Sequence, residues 1–152
     1  MKINLAFLTG ARSEYGVAKP LLKKLKSDPE VNLMIFPSGM HLLKEFGYTI
    51  DHIIGDGFEI TESINTYNSI RRKYHQFSNS VKSIYDVLNN HKIDLVYIIG
   101  DRIEAYTAAL AAHFLKIPIA HFGGGAITQG AVDNIYRFNI TNLSEIHFTT
   151  SN

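Results

Sequence analysis

Three glycine-bearing segments hold the residues of this sequence that could do chemistry. Residues 9–16, Thr-Gly-Ala-Arg-Ser-Glu-Tyr-Gly, place Gly10 at a turn and Arg12 beside the start of a following helix. Backbone N–H groups and a guanidinium hold an anion in that setting; the plainer alternative is a turn glycine and a solvated arginine. Gly10 and Gly16 fit neither G-x-G-x-x-G nor G-x-x-x-x-G-K-S/T, so dinucleotide and P-loop chemistry lose their main support. Gly100-Asp101-Arg102 sets a carboxylate directly after an apolar run. Asp101 there fits a helix N-cap, a catalytic or substrate-orienting carboxylate, or both. Gly123-Gly124-Gly125 lets a backbone approach a ligand closely, and Thr128, Gln129, Asp133 and Arg137 follow it. Asp133 and Arg137 are four apart and share a helix face, as site residues or as a surface ion pair worth roughly a few tenths of a kcal/mol.

The seven histidines show no H-E-x-x-H or other ligand spacing, so no metal site is expected, and no cofactor is expected either. His121 follows an apolar run and is either a hydrogen-bonded core residue or a functional one. G-x-S-x-G is missing and no Ser-His-Asp order stands out, which leaves nucleophilic hydrolysis without a motif.

Apolar β-rich runs alternating with helical patterns must position these loops, and that alternation predicts βαβ units around a parallel sheet. Strands are expected at 3–8, 31–37, 58–60, 94–99, 118–122 and 147–150. The helix at 17–27 should turn Leu21, Leu22 and Leu25 to the sheet and its lysines to water. A long helix over 69–91 should bury Ile70, Tyr74, Phe77, Val81, Ile84, Tyr85 and Leu88, with further helices at 103–115 and 133–143. Right-handed crossovers then give a doubly wound α/β sheet in the order 3-2-1-4-5-6. Ligands bind beyond the carboxyl ends of such strands, where the loops 9–16, 100–102 and 123–130 lie.

With 152 residues, 45% hydrophobic and 19% charged, the chain is expected to be one domain, residues 1–152. Fifteen basic against 14 acidic residues give +1, too balanced for a nucleic-acid partner. Cysteine is absent, which excludes disulfides and suits a reducing cytoplasm. No apolar run approaches the ~18 residues of a membrane span, so no membrane association is expected.

The chain also resembles a known family, the hydrolysing UDP-N-acetylglucosamine 2-epimerases of sialic and legionaminic acid pathways. The likeness runs through Thr9-Gly10-Ala11-Arg12-Ser13-Glu14-Tyr15-Gly16, then Gly39-Met40-His41-Leu42 with Glu45-Phe46-Gly47, and Asp56-Gly57-Phe58. It continues in Gly100-Asp101-Arg102-Ile103-Glu104, in Ile119-Ala120-His121, and in Gly130-Ala131-Val132-Asp133 leading to Arg137 and Ile140-Thr141-Asn142-Leu143-Ser144. Several motifs in order are far more specific than any one glycine loop.

The resemblance implies one Rossmann-like lobe of a two-lobe enzyme whose other lobe, the main UDP holder, is absent here. It implies elimination of UDP with loss of the sugar C2 proton, then addition of water to the glycal, on UDP-N-acetylglucosamine or a related UDP-diacetamido sugar. By the same resemblance Asp101, Asp133 and Arg137 occupy catalytic positions: the carboxylates move protons or orient the sugar, and the arginine counters negative charge. Arg12 would face the nucleotide phosphates, and Gly10, His41, Arg102, His121 and Gly124 would join it in binding substrate. A homo-oligomer is expected. Where the family carries a pattern like H-x-E-G-G-E, this sequence has Gly123 and Ala126 in place of the carboxylates, and Phe138 replaces a histidine after Arg137. Loss of a general acid/base costs typically 10²–10⁴-fold in rate. The chain alone is therefore expected to be inactive. A non-catalytic relative that binds a sugar nucleotide or a partner subunit is the competing expectation.

Overall fold

The structure is a computed structural model that describes residues 2–66 and 73–150, with side chains from residue 77 onward in the second stretch. The strands are β1 (Ile3–Thr9), β2 (Val31–Pro37), β3 (Leu95–Ile99), β4 (Ile119–Phe122) and β5 (Ile146–Phe148). Between them run α1 (Arg12–Ser27), α2 (Ile50–Gly55), α3 (Lys73–Asn90), α4 (Ile103–Phe114) and α5 (Asp133–Leu143), with short 3₁₀ turns at Gly39–Leu42 and Lys44–Phe46. All strand pairs are parallel, in the order β2-β1-β3-β4-β5.

Strand alternation divides the core between the two faces of the sheet. Leu5, Phe7, Ile35, Tyr97 and Ile99 meet Tyr15, Ala18 and Leu22 of α1, Ile53 of α2 and Phe58. Ala6, Leu8, Phe36, Val96, Ile98 and Ile119 meet Ile84 and Leu88 of α3, the alanines of α4, and Ile140 of α5. Small residues at 105, 108, 109, 111 and 112 let α4 sit buried between its neighbours. The sheet is thus doubly wound, as the sequence predicts.

Several expectations are corrected. Residues 58–60 form no strand: Gly57 takes φ +86° and Phe58 turns into the core. Beside β2, Ile35 N–H donates to the Thr61 hydroxyl (3.0 Å) and Thr61 N–H to the Ile35 carbonyl (2.9 Å). Among the described residues a lone bridge, Ser38 to Ile64, follows this pair. Removing that strand leaves the other five in the predicted order. Helix α1 begins at Arg12 rather than residue 17, because Glu14 reaches back to accept the Ala11 N–H (3.2 Å) and fixes the first turn. Its buried face is Tyr15, Ala18 and Leu22, so Leu21, 39% exposed, is not on it. Tyr85 likewise points outward from α3. Ile70 and the side chain of Tyr74 lie outside the described residues.

Candidate functional site

The loops after β1, β2, β3 and β4 gather at the carboxyl edge of the sheet. Gly10 and Gly39 bring the first two of these loops into contact. Ser38 N–H donates to the Thr9 carbonyl (2.8 Å) and Met40 N–H to that of Gly10 (2.9 Å). A Cβ on Gly10 would lie 2.9 Å from Glu104 Cβ, and one on Gly39, at φ +56°, 3.0 Å from the Gly10 carbonyl oxygen. Glycine is needed at position 10 by the packed Glu104 side chain and at position 39 by backbone approach and a positive φ.

His41 is fully buried, its Nε2 3.0 Å from the Thr9 hydroxyl and its Nδ1 2.8 Å from that of Thr49. Burial pushes its pKa down to about 4, so the ring is neutral. It secures the loops from beneath and does not face the opening. His121 is buried in the same way, donating from Nε2 to the Gly100 carbonyl (2.8 Å), with Nδ1 3.2 Å from the Thr141 hydroxyl. Burial holds its pKa below the usual imidazole value. Gly124 packs onto this pair, where a Cβ would fall 2.6 Å from Thr141 Oγ1. His121 and Gly124 therefore shape the loop.

Asp101 and Arg137 are ion-paired. Asp101 does not cap α4, whose N-cap is Arg102 with no side-chain bond. Nor is Asp133 the partner of Arg137: it lies exposed in the first turn of α5. Arg137, 8% exposed, also donates to the Ala126 carbonyl (2.6 Å) and Asn134 Oδ1 (2.8 Å), fixing the glycine loop to α5. Beside it a cavity of about 190 Å³ is lined by Gly124, Gly125, Ala126, Thr149 and Thr150. Arg12 is exposed at the start of α1, free to meet an anion. Arg102 is half-buried against Met40 Sδ (3.2 Å), Glu14 and Glu104. A larger cavity of about 240 Å³, near Lys2, Lys26 and Phe58, lies against the start of β2, away from these loops.

Residues 23–152 match the family profile described as UDP-N-acetylglucosamine 2-epimerase. The chain belongs to this family. Over 97% of its length it is 35% identical to the polysialic acid biosynthesis protein P7 of Escherichia coli, and 33% identical to the hydrolysing UDP-N,N'-diacetylbacillosamine 2-epimerase of Legionella pneumophila. It spans 38% and 40% of those two relatives' lengths. The crystal structure of UDP-GlcNAc 2-epimerase from Neisseria meningitidis bound to UDP-GlcNAc superposes with a TM-score of 0.82 at 23% identity, over 98% of this chain and 40% of that one. The fold is that of the N-terminal Rossmann-like lobe of these two-lobe, GT-B-like epimerases.

Sequence reading missed Glu14, Glu104 and Asn134 as builders of this site. Glu14 alone left a local signal, an acidic residue three positions after a helix cap. The other two act through partners that only the fold supplies.

Proposed function

We propose that this chain forms the sugar-facing half of the cleft of a hydrolysing 2-epimerase acting on UDP-N-acetylglucosamine or a related UDP-diacetamido sugar. The observation that carries the reading is the Asp101–Arg137 pair, fixed at the sheet's carboxyl edge beside the glycine loop in a chain of this family. In the reaction the C2–H and C1–O(UDP) bonds break, a C1–C2 double bond forms and UDP departs. Water then gives hydroxyl to C1 and a proton to the opposite face of C2. Asp101 and Asp133 orient the sugar or carry the C2 proton, and Arg137 offsets negative charge as phosphate leaves. Arg12 faces the phosphates. Gly10, Gly124 and Arg102 border the sugar, while His41 and His121 act through the loops they hold. The second lobe supplies most of the UDP contacts, the protein works in the cytoplasm, and it assembles as a homo-oligomer.

A second reading is favoured by Gly123 and Ala126, which stand where the family resemblance implies carboxylates. On that reading the chain binds a sugar nucleotide or a partner epimerase subunit without turnover. One assay separates them: release of UDP from UDP-N-acetylglucosamine by a protein completed with a second lobe, with and without Asp101→Asn. Turnover abolished by the substitution supports the enzyme; binding of UDP with no turnover supports the second reading.

A further inference from the structure

Glu14, Arg102 and Glu104 meet beneath the loop after β1. Glu14 comes from the first turn of α1, Glu104 from the first turn of α4, and Arg102 from the end of the loop after β3. Both glutamates are buried, at 7% and 5% exposure. One oxygen of Glu14 is fully used, accepting N–H groups from Gly10 (2.7 Å) and Ala11 (3.2 Å) and the Thr9 hydroxyl (3.4 Å). Among the described residues its other oxygen has no hydrogen-bond partner, and neither do Glu104 Oε2 and Arg102 Nε. Arg102 is common to both carboxylates: its Nε lies 3.5 Å from Glu104 Oε2 and 3.9 Å from Glu14 Oε1. Both distances are too long for a hydrogen bond and suit a bridge through an added group. A void of about 10 Å³, lined by Thr9, Gly10, Glu14, Ser38 and Glu104, lies alongside, close to the size of one water.

Two ionised carboxylates against one guanidinium would leave a net negative charge in a buried, nearly closed space, with three polar atoms unsatisfied. One added proton and one water remove both faults: the water accepts the Arg102 Nε–H and the carboxyl proton and donates to the other carboxylate, whose remaining charge balances Arg102. We infer that Glu14 and Glu104 are an acid pair holding one proton between them, clamped by Arg102, and that the pair positions the three loops at the site's floor. Glu14 fixes the backbone of Gly10 and Ala11. The Glu104 side chain is the surface against which Gly10 and Gly39 pack. Both are positioning residues, and the inference does not rest on the UDP-sugar reading. Among the described residues the charged groups facing Glu14 are Glu104 and Arg102, and His41 reaches it through the Thr9 hydroxyl. Burial, opposed by the Gly10 N–H and reinforced by Glu104, raises the Glu14 pKa to about 7.

The test is an NMR titration of isotope-labelled glutamate carboxyls in the full chain, with backbone amides followed in parallel. The expected result is one carboxyl midpoint near 7, assigned to Glu14, shared by the amides of Gly10, Ala11 and Met40. Glu14→Gln keeps an acceptor for the two N–H groups and a donor for Glu104; it should fold and lose that midpoint from the amides. Glu104→Gln should lower it. Titration of every glutamate below about 5 in the wild-type protein, the ordinary carboxyl range, overturns the inference without need of any variant. So does a near-neutral midpoint that survives in Glu14→Gln.

Discussion

Arg137 is nearly buried, and among the described residues its charge is answered by the carboxylate of Asp101. Removing that charge leaves a guanidinium on neutral acceptors alone. Asp101→Asn should lower stability by about 1–3 kcal/mol in urea unfolding, the range for a broken, partly buried charged hydrogen bond. His41 makes a second prediction at this scale. Its folded pKa, about 4, lies below the unfolded value of about 6.5, so the unfolded chain binds the extra proton. The stability it contributes is intact above about pH 6.5 and is lost as pH falls toward 4. Glu14 has the opposite sign: its raised pKa makes stability fall as pH rises from about 4.5 to about 7. In wild type the two slopes oppose each other, and in Glu14→Gln the histidine slope should stand alone. Urea midpoints measured across this range would show a steeper acid loss in the variant; parallel curves would contradict the assignment.

At the scale of elements, the loop from β4 to α5 contains glycines that do different work. Gly124 faces Thr141 and His121 with no room for a methyl, whereas Gly123 and Gly125 have open space but positive φ, +88° and +80°. Gly124→Ala should therefore cost about 1–3 kcal/mol through overpacking, and Gly123→Ala about 1 kcal/mol through backbone strain. Ala126 is exposed beside the small cavity, and only its carbonyl is engaged. Ala126→Glu should leave the melting temperature within about 2 °C, since surface changes fall within about 0.5 kcal/mol. In a protein completed by a second lobe it should raise UDP release if the missing carboxylate limits the rate. Unchanged UDP release in a folded, UDP-binding variant would move the non-catalytic reading ahead.

For the whole molecule, several large apolar side chains are exposed. Phe114, Ile127, Val132 and Ile135 are each more than 60% exposed, and β5 leaves Ile146 and Phe148 at 42% and 47%. Several of these lie in or next to α5 and β5, the last two described elements. Apolar patches beyond a few hundred Å² seek partners, so this chain by itself should self-associate, with a dimer the expected species. Sedimentation velocity over a concentration series checks this, and a clean monomer at high concentration would count against it. On the same scale, the chain spans about two-fifths of its relatives, and alone it should release no UDP from UDP-N-acetylglucosamine in a coupled assay.

Local pattern was enough for the elements that carry their own period. The run over 3–8 and the alternation of strands with helices predict a doubly wound sheet because burial on both faces demands continuous apolar strands. Asp133–Leu143 begins and ends where the sequence places it. The order of separate motifs was also readable, and with it the family. Pairing across the fold was not. Arg137 has Asp133 at the right helical spacing, yet it turns to Asp101, because the parallel sheet sets the end of β3 beside the start of α5. Glu14 and Glu104 are far apart along the chain and meet only because β1 and β3 are neighbours in the sheet. The strand expected at 58–60 failed for the same reason in reverse: its residues suit an edge, but Phe58 finds a buried place in the core and Thr61 satisfies the edge of β2 by itself. Sequence periodicity marks most of the inward faces, though not Leu21 or Tyr85, while which charges share a buried space depends on strand order, a property of the assembled sheet.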